Sequence, residues 1–234
     1  MEIKCYLERG FNVVVQESQA GKYRRCYDLS LQIPGLDSWQ RTHNSFSACA
    51  YHPDIQWAYL TYEVSVFKLN LRTGVFQKVY DTGDPLHEVK SIDISNHGTY
   101  VKAMTQYGVV VLDTQSDKIV FSMGTKGVAP ISFDEKLIAL AGEQSIHVFE
   151  LPSGELLYKK KRIQIRQCCF DDSGEYLIYS TDTNEVLLWD YKPFITTSIY
   201  QAEAPILKLA MNRRFLEITF IDGSEKFIPV LPHK

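Results

Sequence analysis

The sequence predicts an all-β protein assembled from six copies of one antiparallel unit, and two observations carry the prediction. Short apolar and aromatic runs of strand length recur along the chain, each bounded by turn residues. The same order of strand, tight turn, strand, polar turn and strand returns with a period of about 40 residues.

The clearest copy is CCFDDSGEYLIYSTDTNEVLLWDYKPF, from Cys168 to Phe194. A first strand ends at Phe170, Asp171-Asp172-Ser173-Gly174 makes the turn, Tyr176 to Ser180 forms a second strand, and Val186 to Trp189 a third. Sliding this template along the chain finds matches opening at CYLERGF, ACAYHPD, SIDISNH and PISFDEK before it, and at KLAMNRR after it. The residues closing the first strands are Tyr6, Tyr51, Ile94, Phe133, Phe170 and Met211, spaced 45, 43, 39, 37 and 41 residues apart. The place of Trp189 is taken by Tyr27, Leu69, Leu112, Phe149 and Ile228, followed by Asp28, Asn70, Asp113, Glu150 and Pro229. Fourth strands are expected at Leu29 to Ile33, Val75 to Tyr80, Lys118 to Ser122, Glu155 to Tyr158 and Ile195 to Tyr200, with none in the last copy. The total is about 23 strands.

This repeat resembles that of the WD-repeat β-propeller family across essentially the whole chain. The resemblance implies one six-bladed β-propeller domain over 1–234, of mostly four-stranded antiparallel blades near 1–40, 41–83, 84–124, 125–160, 161–202 and 203–234. Radial packing of the sheets would explain why nearly every strand is apolar. The family also builds a buried hydrogen-bonded set from a His, a Ser or Thr, an Asp and the Trp. Ser180, Asp182 and Trp189 match three members, but KKKRIQIRQ before them holds no His, while His43 and His87 stand near that place in copies without the Trp. The repeats are degenerate.

Composition narrows the function. With 45% hydrophobic and 23% charged residues and a net charge of -3, the chain reads as soluble and globular, with no bulk attraction to nucleic acid. No apolar run reaches 18 residues and MEIKCYLERGF is no signal peptide, so the default is a cytoplasmic protein without a membrane span. The five cysteines form no C-x-x-C pair and read as packing residues in a reducing compartment, with Cys5, Cys49, Cys168 and Cys169 all on first strands.

Candidate chemistry is sparse. Asp81-Thr-Gly and Asp172-Ser-Gly resemble the paired loops of pepsin-like proteases, yet the repeat places one between blades and the other between strands, at opposite ends of the ring. His43, His52, His87, His97, His147 and His233 form no ligand pair, and His52 and His97 occupy corresponding turns, so no metal site is expected. No nucleophile elbow, phosphate loop or dinucleotide fingerprint occurs. Lys159-Lys160-Lys161-Arg162 reads as a solvated connection between blades.

Acidic residues are more widespread. The repeat assigns the loops between second and third strands, and those between blades, to one face of the ring. That face carries Glu17, Asp37, Glu63, Asp81, Asp84, Glu88, Glu143, Asp182, Glu185, Glu203, Asp222 and Glu225, set mainly against Arg41, Lys126, the basic run, Lys22 and Lys226, with exposed-looking aromatics at Trp39, Tyr62 and Tyr107. Carboxylates interleaved with aromatics describe a docking face for a basic protein. The sequence therefore predicts a protein-binding propeller that is not an enzyme and needs no cofactor, a monomer before binding. Its most concrete reading is an immunity-type inhibitor of a basic toxin, such as a nuclease. A scaffold subunit of a larger assembly and a hydrolase built on the propeller are the alternatives.

Overall fold

The computed structural model describes residues 2–8, 10–18, 23–33, 35–52, 56–84, 87–125, 127–161, 164–212 and 214–230. The chain divides into two compact units, Met1–Ser122 and Met123–Lys234. All six sheets are antiparallel, and three carry four strands while three carry three among the described residues.

The first unit opens with β1 (Glu2–Leu7), β2 (Asn12–Ser18) and β3 (Tyr23–Asp28). Its second sheet is β4 (Ala48–His52), β5 (Trp57–Tyr62), β6 (Ser65–Asn70) and β7 (Phe76–Asp81), and its third is β8 (Val89–Ile94), β9 (Tyr100–Thr105), β10 (Gly108–Asp113) and β11 (Ile119–Gly124). The expected fourth strand at Leu29 to Ile33 is a turn instead. Leu29 and Ile33 still enter the core cluster, so their apolar character serves packing without a ladder. The following segment forms the one helix among the described residues, α1 (Ser38–His43), which the repeat did not predict. Asp37 and Gln40 close a capping box around its first turn: Gln40 N donates to the Asp37 carboxylate at 2.7 Å and Asp37 N donates to Gln40 Oε1 at 2.9 Å.

The second unit holds β12 (Leu137–Ala141), β13 (Ser145–Glu150) and β14 (Leu156–Lys161), then β15 (Ile165–Phe170), β16 (Tyr176–Thr181), β17 (Glu185–Asp190) and β18 (Ile195–Gln201), then β19 (Ile206–Asn212), β20 (Phe215–Phe220) and β21 (Glu225–Pro229). The first strand expected near Phe133 shrinks to two isolated bridges, Val128 with Ala141 and Ile131 with Ile138. Pro130, between them, has no N–H to give a ladder. Lys159, Lys160 and Lys161 lie in β14, not in a connection between sheets. β14 is the outer strand of its sheet, where cationic side chains discourage pairing with another chain.

Two-residue alternation places neighbouring strand residues in different cores. In β5 and β6, Ala58, Leu60, Phe67 and Leu69 join Phe11, Val13 and Val15 in one cluster, while Tyr59 and Val66 join Val89, Ile92 and Val110 in another. In β16 and β17, Leu177, Tyr179 and Trp189 meet Ile146 and Val148, whereas Ile178, Val186 and Leu188 meet Leu216 and Ile218. Middle strands sandwiched between two sheets must be apolar on both faces. The outer strands β11, β14 and β18 are largely exposed, and β7 is exposed over half its residues.

The polar residue after each third-strand anchor has a shared role. Asp28 accepts from Ser30 N at 3.0 Å, Asn70 from Thr73 N at 2.8 Å, Asp113 from Ser116 N at 2.7 Å and Asp190 from Lys192 N at 3.3 Å. Glu150 accepts from Ser153 Oγ at 2.7 Å. Each side chain closes the turn leaving its strand, the ordinary behaviour of Asp and Asn at such sites. Tyr27, the counterpart of Trp189, donates its hydroxyl to Leu71 O at 2.9 Å. Its ring lies 3.0 Å from where a Cβ on Gly74 would sit, and Gly74 has φ +76, so both space and backbone favour glycine there.

Candidate protein-binding surface

In the first unit most of the expected carboxylates are held by their own surroundings. Asp37 caps α1. Asp81 accepts from Lys78 Nζ at 2.7 Å, Gly83 N at 2.8 Å and Ser65 Oγ at 3.1 Å. The Lys78 bond, followed by the Gly83 bond, holds its acid below the usual carboxylate range. Asp81 thus closes the end of β7, an internal role for the Asp81-Thr-Gly turn. Asp84 lies 3.9 Å from His87 Nδ1, and the His87 ring meets Tyr107 edge-on at 5.2 Å. Tyr107 is exposed, as expected.

Tyr62 corrects the expectation. It is 7% exposed and packs on Phe11 with ring centroids 5.2 Å apart, and its hydroxyl accepts from Asn44 Nδ2 at 2.9 Å. An aromatic ending a middle strand is drawn into the core by the neighbouring sheet. Burial pushes its acid up, with Glu63 and Asp37 adding to the effect, so both acids stand near this ring. Glu63 itself is exposed in the β5–β6 turn at φ 50. The side chains of Glu17 and Trp39 lie outside the described residues.

The second unit presents its acids differently. Glu143, Asp182 and Asp222 lie in the β12–β13, β16–β17 and β20–β21 turns, the same place in three successive sheets, and all three are exposed. Glu185 opens β17, Glu203 lies between β18 and β19, and Glu225 opens β21. No described basic side chain forms an ion pair with any of these six. Asp222 accepts from Ser224 Oγ at 2.7 Å and Ser224 N at 2.9 Å, bonds that lower its pKa and fix its direction. The β16–β17 turn is tied to the next connection: Gln201 Nε2 donates to Thr183 O at 2.9 Å and Ala202 N to Asn184 O at 3.0 Å. Asp182 and Glu203 therefore flank one rigid junction. Nearby Lys226 is engaged, its ammonium 4.5 Å from the Tyr200 ring centroid.

Among the described residues the hydrogen-bonded set implied by the family resemblance does not form. Trp189 Nε1 and Ser180 Oγ are buried without a described partner, and Asp182 stands exposed in the turn. The ammonium of Lys160 lies 5.3 Å from the Trp189 ring and 5.5 Å from the Tyr179 ring, and burial lowers its pKa. The ring face is used where the indole N–H is not.

Other expected features divide. Cys168 and Cys169 are buried as packing residues, with burial, then Asp171 and Asp172, pushing Cys169 up to about 12. Cys26 is exposed on β3, against the packing expectation, because it points away from the core beside Asn12. His52 meets the Asn96 carbonyl at 3.0 Å and His97 is an exposed turn residue. No group of three or more potential metal ligands occurs among the described residues. His43 (by its side chain), Arg162 and His233 lie outside them.

No protein-family model and no characterised protein matches the chain in the comparisons made by sequence. Solved structures do match in fold. The β-propeller domain of Cps50 (Swd1) from Myceliophteria thermophila is similar at a TM-score of 0.65 and 15% identity, over 94% of this chain and 76% of that one. A chain of the mitotic checkpoint complex crystal structure is similar at a TM-score of 0.60 and 14% identity, over 74% of this chain. The match spans 58% of that checkpoint chain. Six antiparallel sheets in sequence order, the recurring turn chemistry and these structural relatives together give the chain the fold of a WD-repeat-like β-propeller.

Proposed function

We propose that the chain is a non-catalytic, protein-binding propeller that recognises a basic protein through its turn carboxylates. One observation carries the reading: six acids of the second unit, Glu143, Asp182, Glu185, Glu203, Asp222 and Glu225, stand at turns and strand starts without a described basic partner. Carboxylates without a described basic partner steer a cationic partner to the surface and are matched by its charge as water leaves, and Asp222 is already fixed in direction by Ser224. The finest form of the proposal is an immunity-type inhibitor that covers the basic active site of a toxin.

The resemblance to a chain of the mitotic checkpoint complex favours a second reading within the same class, a scaffold subunit of a larger assembly. Affinity capture of the tagged protein from its own cells separates the two. One stoichiometric basic partner supports the inhibitor, and several co-purifying subunits support the scaffold. With the partner in hand, association kinetics of a Glu143→Lys, Asp182→Lys, Asp222→Lys triple variant test the surface. The expected result is slower association, more strongly at low salt than at high salt. Unchanged association at both salts would sink the acidic surface.

A further inference from the structure

Cys5 on β1 and Cys49 on β4 belong to first strands of neighbouring sheets in the first unit, and their sulfurs stand 3.8 Å apart. β1 packs on β4, and both cysteines border the core cluster of Phe11, Leu60 and Leu69. Neither thiol is sealed: both side chains are intermediate in exposure, whereas Cys168 and Cys169 are buried. Two thiols in contact across a sheet boundary, within reach of a small solute, are arranged for more than packing.

We propose that Cys5 and Cys49 form a reversible oxidation site, closed to an inter-sheet disulfide by hydrogen peroxide. Either thiol can donate across this contact, which lowers the Cys5 pKa, while the same contact and burial raise Cys49. Cys5 is therefore the sulfur that ionises and attacks. Its thiolate takes one peroxide oxygen, the O–O bond breaks, and hydroxide leaves, giving a sulfenic acid on Cys5. That hydroxide takes the Cys49 proton and becomes water. The Cys49 thiolate then attacks the Cys5 sulfur, the S–O bond breaks, and a second hydroxide leaves to collect the proton Cys5 released on ionising. Two thiols are oxidised to one disulfide while one peroxide is reduced to two waters. A dithiol regenerates the reduced pair by exchange.

The cross-link joins the start of the chain to its second sheet and closes a loop that includes all of β2, β3 and α1. Constraining so long a loop restricts the unfolded chain more than the folded one. Oxidation therefore makes the first unit harder to open.

The test treats the whole protein with hydrogen peroxide, unfolds it in denaturant, blocks remaining thiols by alkylation, and maps peptides without reduction. The expected product is one species lighter by two hydrogens, with the Cys5 and Cys49 peptides joined while Cys168 and Cys169 remain alkylatable. Its melting midpoint rises by roughly 5–10 °C and returns on reduction. Cys49→Ser should leave a sulfenic acid on Cys5 that dimedone traps, and Cys26→Ser should still form the bridge. The proposal fails if Cys5 and Cys49 stay alkylatable under peroxide that oxidises the exposed Cys26, or if Cys5 joins Cys26 instead.

Discussion

Lys68 of β6 and Asp117 of the β10–β11 turn form an ion pair that bridges two neighbouring sheets of the first unit. Lys68 is 7% exposed, and its ammonium also lies 4.6 Å from the Trp57 ring centroid. The charge is affordable only because a carboxylate and an aromatic face replace its water.

Removing the carboxylate strands that ammonium. Asp117→Asn keeps a residue suited to the φ of 56 at this site, so backbone strain does not confuse the result. It should destabilise the first unit by about 2–4 kcal/mol in urea unfolding. Lys68→Met should cost less, because Asp117 keeps more contact with water than Lys68 does.

Two tyrosines of β5 that face different core clusters should respond with opposite signs. Tyr59 is 1% exposed and its hydroxyl has no described partner, whereas the Tyr62 hydroxyl takes the Asn44 amide. Tyr59→Phe removes a buried, unsatisfied group and should be neutral or stabilising by up to about 1 kcal/mol. Tyr62→Phe should lose about 1 kcal/mol, measured by the same denaturant titration.

The same logic separates the two orphaned groups of the second unit. Trp189 is fully buried among Tyr179, Tyr191 and the β12–β14 sheet, so Trp189→Ala should cost about 3–5 kcal/mol through the cavity it leaves. Ser180→Ala removes a hydroxyl that satisfies nothing and should leave the melting midpoint unchanged or raised. A large loss from Ser180→Ala would mean that the hydroxyl is bonded after all.

Acid should weaken the β7 end through Asp81. Its folded pKa lies below the unfolded value, so folding releases no proton above the unfolded pKa of about 3.9, and the stabilisation is complete there. It is lost as pH falls through the lower folded value. Melting curves between pH 6 and pH 2 should therefore show a smaller acid-induced decline for Asp81→Asn than for the unaltered chain. An identical slope would show that the Lys78, Gly83 and Ser65 bonds do not favour the ionised form.

The repeat was legible because a middle strand flanked by two sheets has no polar face to offer. Runs such as Tyr176 to Ser180 and Val109 to Leu112 therefore announce themselves, as do the Asp and Asn residues that close the turns. Leu29 to Ile33 misled because an apolar residue can fill the core from a turn as well as from a strand. Helix α1 was hidden because six residues show too little periodicity, although Asp37 and Gln40 at cap spacing carried the signal. The surface was read less well. Loop position identified exposed acids at Glu143, Asp182 and Asp222, but it could not tell a free carboxylate from one already capping a helix, as at Asp37, or an exposed aromatic from a buried one, as at Tyr62.

The contrast between middle and outer strands divides each repeat into a strict half and a permissive half. Ile195 to Ser198 of β18 are exposed without interruption, while Leu177 to Ser180 of β16, in the same sheet, are buried without interruption. Substitutions, reporter groups or affinity handles can therefore be carried on the outer rim of a sheet without asking the core to repack. New recognition chemistry can be added there one residue at a time, on a framework whose inner strands are already committed to packing.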